Sequence, residues 1–396
     1  LQGDVGSGKT VIAAIACAIA NANSVQAALM APTEILAEQH YRTLVRLLGS
    51  DVALLTGSTP EARRAEILQG LAEGSVLLVV GTHALIQPGV TFARLGLAVI
   101  DEQHRFGVAQ RAALRQKGYN PHVLVMTATP IPRTLALTMF GDLDLSIIDE
   151  MPPGRPEIKT KVISPAERQR AYNFVRRQIE QGRQAFIICP LVEDSEKIEA
   201  AAAIQEYERL QKEVFPQFRL GLLHGRMKGP EKEAVMVAFH RGELDILVST
   251  PVVEVGIDVP NATVMLIEGA SRFGLAQLHQ FRGRVGRGEH PSYCLLISDE
   301  ASLNGDQRLQ VIESTQDGFL LAEKDLELRG PGEFLGTRQS GLPEMRLARL
   351  SDLALIELAR REAQALLQAD PALERPEQAL LAQRLAAFWN TQGDMS

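Results

Sequence analysis

Cysteine is scarce: three in 396 residues, at positions 17, 189 and 294. They lie too far apart for a Cys-x-x-Cys metal site or a disulfide framework, and read as buried small hydrophobes in a reducing cytoplasm. Positive charge is not in excess either, with 41 Lys and Arg against 48 Asp and Glu, a net −7. That balance excludes a binder working by bulk positive charge. It leaves room for a protein that grips a backbone with hydroxyls, main-chain N–H groups and helix N-termini. Long apolar runs are missing as well. The longest near the start, Val11–Ala20, is too short to span a bilayer, and no signal peptide precedes it. What remains is ordinary for a globular protein, 45% hydrophobic and 22% charged. At roughly 100–200 residues per domain, the length predicts two domains and an appendage.

Apolar runs alternate with helical patterns along the first part. Strands are predicted at Ala27–Ala31, Val76–Val80, Leu97–Ile100 and Val123–Met126, with helices such as Glu34–Leu48 and Pro60–Ala72 between them. This is the pattern of βαβ units and a parallel sheet. Met151-Pro-Pro-Gly-Arg-Pro156 interrupts it as a semi-rigid connector. The pattern then restarts, with strands predicted at Ala185–Cys189, Leu220–Leu223, Ile246–Ser249, Val264–Ile267 and Tyr293–Ile297. Helices are predicted over Ile198–Val214 and Glu231–His240, and no sequence repeat joins the halves. Beyond Gly305, two helices are predicted at Gln307–Thr315 and Phe319–Leu328, parted by Asp317-Gly318, the glycine suiting a helix stop. A glycine-rich run, Gly330–Gly336, follows, and Leu350–Asn390 has helical spacing. The predicted divisions are 1–152, 157–303 and 304–396.

Gly3-Asp-Val-Gly-Ser-Gly-Lys-Thr10 satisfies GxxxxGK[ST]. Its glycines, Gly3, Gly6 and Gly8, let main-chain N–H groups turn inward around phosphate oxygens, with Ser7 inside the loop. Lys9 can reach the β- and γ-phosphates, and Thr10 can place its hydroxyl on Mg²⁺. The helix at Val11–Ala20 would set its N-terminus against the phosphates. Only two residues precede the loop and there is no initiator Met. The expectation is a fragment whose N-terminal part is missing, including the strand that holds such a loop. Leu97-Ala-Val-Ile-Asp101-Glu102 is an apolar strand ending in two acids. Asp101 is placed to hold Mg²⁺ through water and Glu102 to orient or deprotonate an attacking water. Taken alone, the pair would equally serve to cap a helix. Gln280-Phe-Arg282-Gly-Arg284-Val-Gly-Arg287 is poor helix and poor strand. It reads either as a solvated basic turn or as two arginine fingers, Arg284 and Arg287, reaching phosphate across a cleft.

These residues resemble superfamily 2 helicases and translocases. The chain is similar to them in order, from Gly3–Thr10 (motif I) through Ala31–Glu34 (Ia), Val80–His83 (Ib), Asp101–His104 (II) and Thr127–Thr129 (III). Phe186–Pro190 (IV), Leu223–Arg226 (the segment after it), Ser249–Asp258 (V) and Gln280–Arg287 (VI) follow. The resemblance implies two tandem RecA-like P-loop domains of parallel sheets flanked by helices, then a helical hairpin and C-terminal helices. It implies ATP and Mg²⁺ between the domains, with Gln280 contacting nucleotide. Each turnover would be a hinge motion about Met151–Pro156. Backbone contacts to DNA are implied at Pro32, Thr33, Thr82, His83 and Thr250.

Within the superfamily, Asp101–Val108 and Met126–Arg133 occur in the RecG family of branched-DNA helicases and in transcription-repair coupling factors. Gln103 and Leu328–Gln339 favour the RecG family. In that family Arg308, Arg329 and Gln339 match positions coupling hydrolysis to movement on duplex DNA, and a wedge domain absent here precedes the motor. The resemblance also implies branched or duplex DNA and single-stranded DNA-binding protein as partners, a monomer, and a bacterial cytoplasm with nucleoid association. The coupling-factor motor, and a nucleotide-binding fragment without unwinding activity, stay open as alternatives.

Overall fold

A strand covered by helices on both faces is buried along its length and mostly apolar, because neither face meets water. Gln26–Met30 and Gln184–Ile188 are buried at every residue, and each lies at the centre of one of two parallel sheets. These belong to a computed structural model that describes residues 1–49, 51–102, 114, 117–128, 144–152, 157–189, 196–251, 259–299, 307–334 and 353–393. The chain divides into two units, Leu1–Pro130 with Ser146–Leu321, and Ile131–Leu145 with Ala322–Ser396.

The first unit carries both sheets. It begins β1 (Gln2–Gly3), α1 (Lys9–Ala22), β2 (Gln26–Met30), α2 (Glu34–Leu48), β3 (Val52–Leu55), α3 (Glu61–Glu73), β4 (Leu78–Gly81), β5 (Leu95–Asp101), β6 (His122–Met126) and β7 (Ile147–Ile148). Strand order is β3-β4-β2-β5-β6, all parallel. Residues of α1 and α2 pack on one face of this sheet and residues of α3 on the other.

β1 corrects the sequence reading. The strand before the phosphate loop is present, although two residues long. It pairs in parallel with β7, and Gln2 bridges to Thr127 just beyond β6. Gln2 N–H donates to the Ser146 carbonyl and Thr127 N–H to that of Leu1. So short a strand is held because both its neighbours are in place, a condition that nothing local in Leu1–Gly3 announces.

The second domain continues β8 (Ile158–Ile163), α4 (Arg168–Glu180), β9 (Gln184–Ile188), α5 (Glu196–Arg209), β10 (Leu220–Leu223), α6 (Gly229–His240), β11 (Ile246–Ser249), β12 (Ala262–Ile267), α7 (Leu275–Arg282) and β13 (Ser292–Ile297). The order is β10-β11-β9-β12-β13-β8, again all parallel. The helix expected to reach Val214 closes on a π-helical turn, Leu210–Val214. Cys17, Cys189 and Cys294 are buried and free, and burial pushes the thiols of Cys17 and Cys294 up to about 12.

After β13 come α8 (Gln307–Ser314) and α9 (Gly318–Phe334). Asp317-Gly318 is not a stop between them. Asp317 caps the start of α9, its Oδ1 accepting the N–H groups of Phe319 and Leu320. Nor does α9 end at Leu328. It runs on through Gly330-Pro331-Gly332 to Phe334, against the local propensity of those residues. In the second unit lie the rest of α9, α10 (Leu353–Ala369) and α11 (Ala379–Gly393). There the Asp370 carboxylate accepts the N–H groups of Glu374 and Arg375 beyond the end of α10. Among the described residues, no helix is long and apolar enough to cross a membrane.

Candidate nucleotide site between the two sheets

The phosphate loop runs from the end of β1 into α1. Gly6 and Gly8 take φ of 80° and 95°, the left-handed region where a side chain is disfavoured. Gly8 is the N-cap of α1, no side chain caps that end, and no acid lies in its first turn. A helix N-terminus of this kind suits an anion. Lys9 Nζ donates to the carbonyls of Gly3 and Asp4, at 2.9 and 2.7 Å. Burial lowers the pKa of its ammonium group. The charges of Asp101, Glu102 and Asp4 work against that shift, and that of Arg287 adds to it.

Asp101 ends β5 and Glu102 follows it at φ 51°. Successive side chains of a strand point to opposite faces, so two adjacent acids would ordinarily part. The left-handed turn at Glu102, at a cost of about 1–3 kcal/mol, brings both onto one wall. The Glu102 N–H donates to Asp101 Oδ1 at 3.1 Å. Asp101 Oδ2 is 2.7 Å from Nε2 of His40, a buried residue of α2. Burial and the neighbouring Asp101 raise the pKa of Glu102, while the charges of Arg284 and Lys9 pull it back.

Across the cleft, the motif expected to be poor helix is in part a helix. Gln280–Arg282 forms the last turn of α7, and Gly283 caps it. Nor is it a solvated turn, since Arg282 is 1% exposed and Arg284 4%. Gly283 is required by contact: a Cβ there would lie 2.9 Å from that of Val5 in the phosphate loop. Gly286, at φ 77°, turns the chain between Arg284 and Arg287.

These parts enclose one cavity of about 460 Å³, lined by Gly6, Gly8, Lys9, Thr10, Asp101 and Glu102 from the first domain and by Arg284 and Arg287 from the second. Gly3, Ser7 and Gln280 are buried off its wall. The Thr10 hydroxyl and the Asp101 carboxylate fit Mg²⁺, a hard cation that needs few protein oxygens when phosphates and waters complete its shell. Among the described residues, no cluster of three His, Cys, Asp or Glu side chains offers an all-protein metal site. Sequence reasoning missed His40, Asp4 and His279. His40 had a signal, a polar residue on the buried face of α2 with Leu36 and Leu44.

The residues expected to meet DNA sit at strand ends. Pro32 and Thr33 follow β2, and Thr33 caps α2 by accepting the Leu36 N–H. Thr82 follows β4 and is buried, while the adjacent His83 is exposed. Thr250 follows β11 and is buried, its N–H donating to the Leu223 carbonyl. Arg308 of α8 donates to the Ser271 carbonyl at 2.7 Å. The Arg329 side chain, Gln339, Gln103–His104, Thr129, Pro190, Val252–Asp258 and Pro153–Pro156 lie outside the described residues.

Family models agree with this division of labour. The DEAD/DEAH box helicase model matches residues 1–138, the helicase conserved C-terminal domain 168–289, and the RecG domain 3 C-terminal model 315–395. An ATP-dependent DNA helicase RecG of Synechocystis is 59% identical over 94% of this chain, and one of Bacillus subtilis 52% over 97%. The chain covers 46% and 57% of those two relatives, about half their length. A structure of RecG bound to a three-way DNA junction matches with a TM-score of 0.75 and 48% identity, over 90% of this chain and 47% of that one. Yeast Dbp5, at 16% identity and a TM-score of 0.56, shares the fold alone. With about half of all residues shared along nearly its whole length, the chain belongs to the RecG helicase family.

Proposed function

We propose that this chain is the ATP-hydrolysing motor of a RecG-type helicase, working on branched or duplex DNA in recombination and repair. The observation that carries this reading is the facing of Lys9, Asp101 and Glu102 by Arg284 and Arg287 across one cavity. Gly6, Gly8 and Lys9 bind the phosphates. Glu102 orients the attacking water and takes its proton, a role suited to a carboxylate whose pKa burial has raised. Arg284 and Arg287 stabilise the charge that develops on the transferred phosphoryl group. They belong to the other domain, so the full set assembles only when the domains are together. Gln280 supports the nucleotide side of α7. Thr10 and Asp101 would hold Mg²⁺, which when bound neutralises phosphate charge.

DNA contacts fall to Pro32, Thr33, Thr82, His83 and Thr250 along the strand ends, with Arg308, Arg329 and Gln339 carrying movement. Contacts of this type read the backbone, so binding is salt-dependent and blind to sequence. A monomer in the bacterial cytoplasm, near the nucleoid and in contact with single-stranded DNA-binding protein, completes the reading.

The test is ATP turnover with and without a branched DNA. Turnover should rise with DNA, and Lys9→Ala should abolish it. Turnover indifferent to DNA would sink the motor reading. The chain alone, at half the length of its relatives, should unwind forks weakly or not at all.

A further inference from the structure

Three parts of the first unit meet at one buried point. Asp4 of the phosphate loop places Oδ1 2.6 Å from Nε2 of His279 in α7. The other ring nitrogen, Nδ1, lies 2.8 Å from Nη2 of Arg282. A guanidinium only donates, so Nδ1 accepts. In the neutral ring the proton therefore sits on Nε2 and is donated to Asp4. The ring is thus oriented from both sides. Arg282 in turn donates through Nη1 to the carbonyls of Ile312 and Thr315, both at 2.8 Å, where α8 ends. The first residue of α9, Gly318, closes the junction. A Cβ there would lie 2.5 Å from His279 Nε2 and 3.1 Å from Asp4 Oδ2.

The same aspartate is tied to the nucleotide site through its main chain, because its carbonyl accepts from Lys9 Nζ. Two residues beyond Arg282 comes Arg284, on the cavity wall. One unbroken set of hydrogen bonds therefore runs from the residue that would bind the γ-phosphate, through Asp4, His279 and Arg282, to the end of α8. The Asp4 carboxylate is equipped for this. Burial works against its charge, but the His279 bond, the Val5 N–H and Lys9 hold it below the ordinary carboxylate range.

We propose that Asp4 and His279 are positioning residues. They fix α7 against the phosphate loop so that Arg284 and Arg287 face the cavity, and through Arg282 they pass the disposition of that loop to α8 and α9. This inference rests on the ATPase reading of the cavity. Neither side chain lines the cavity, so loss of the pair should slow turnover and spare nucleotide affinity.

The two ring nitrogens can be tested separately. In His279→Gln the amide can mimic Nε2 and keep the Asp4 arm. In His279→Asn it can mimic Nδ1 and keep the Arg282 arm. Asp4→Ala removes the acceptor, and Asp4→Asn retains one. The assay is steady-state ATP turnover with and without a DNA junction, with binding of a fluorescent ATP analogue measured alongside. Asp4→Ala and His279→Asn should each lower kcat about tenfold or more, with analogue affinity within about threefold of wild type. Asp4→Asn should recover much of the loss. His279→Gln should keep most of its turnover without DNA while its stimulation by DNA falls severalfold. The double variant Asp4→Ala with His279→Asn should be no slower than the worse single variant, as for groups acting as a unit. Thermal melting identifies any variant that fails to fold, and the milder Asp4→Asn and His279→Gln then carry the comparison.

Affinity falling in step with kcat would make the pair binding residues and overturn the proposal. So would wild-type kcat and DNA stimulation in all variants, or strictly additive losses in the cycle. If wild-type turnover itself ignored DNA, the motor reading would fall. The Asp4 and His279 effects on kcat without DNA would still decide the positioning role.

Discussion

Gln26 in β2 and Gln184 in β9 hold equivalent places in the two sheets. Each opens the central strand, and each is followed by alanine. The Gln26 carboxamide donates to the carbonyls of Leu71 and Val76, at 2.9 and 2.8 Å, where α3 gives way to β4. That of Gln184 donates to Phe239 and Leu244, at 2.6 and 2.7 Å, where α6 gives way to β11. In both, the carbonyl oxygen also accepts, from Arg94 N–H and from the Asn261 amide. The halves thus share a structural residue that a search for sequence repeats passes over, since it amounts to a Gln-Ala pair.

Replacing either glutamine with leucine strands the buried carbonyls it serves. Gln26→Leu and Gln184→Leu should each destabilise the domain that contains them by about 2–4 kcal/mol, read by urea unfolding. Gln69→Leu, on the exposed face of α3, is the control and should change stability by less than about 0.5 kcal/mol. Equal stabilities for all three would show that the loop carbonyls find other partners.

The arginine assignment makes a separable prediction. Arg287 lines the cavity and its charge is felt by Lys9. Arg287→Ala should leave ATP binding in place while hydrolysis drops, by as much as ~10³-fold if it acts as a finger. The measurement pairs equilibrium nucleotide binding with single-turnover hydrolysis. Lost binding with unchanged turnover of bound ATP would remove Arg287 from that role.

Those two predictions mark what the sequence made legible. Buried parallel strands announce themselves as apolar runs, and a phosphate loop announces itself in its glycines, so the sheets and the first half of the site could be read directly. Strand β8 could not. It reads Ile-Lys-Thr-Lys-Val-Ile, exposing polar residues as an edge strand does. The burial of Arg282 and Arg284 was hidden for a different reason. Charge predicts exposure unless acceptors are supplied, and those of Arg282 are carbonyls some thirty residues further along the chain. His40 and His279 were missed likewise, because a histidine acquires its role only from the aspartate that faces it.

Arg282 supports a prediction about stability rather than chemistry. It is 1% exposed and donates to two carbonyls and to His279. A lysine brings a single nitrogen and cannot reach the acceptors that Nη1 and Nη2 serve separately. Arg282→Lys should cost about 2–4 kcal/mol in chemical unfolding. Arg308 is half-buried and donates to the Ser271 carbonyl, and Arg308→Lys should cost less than about 1.5 kcal/mol. The reverse ranking would mean that α8 is held chiefly through Arg308.

Glu102 ties stability to pH in the opposite sense from most carboxylates. Its pKa in the fold is raised, first by burial and then by Asp101. The folded chain therefore binds this proton more tightly than the unfolded chain does. Its contribution is fully favourable below the unfolded glutamate value and is lost as pH climbs through the raised value. Glu102→Gln, which cannot ionise, should melt at a temperature close to wild type at low pH. It should become the more stable protein as pH rises to neutrality, measured without nucleotide or Mg²⁺. The same variant should be close to inactive in ATP hydrolysis, since the water loses its proton acceptor. A stability gap that stayed constant across that pH range would show that ionisation of Glu102 costs the fold nothing. A variant that kept wild-type turnover would assign the base to another group.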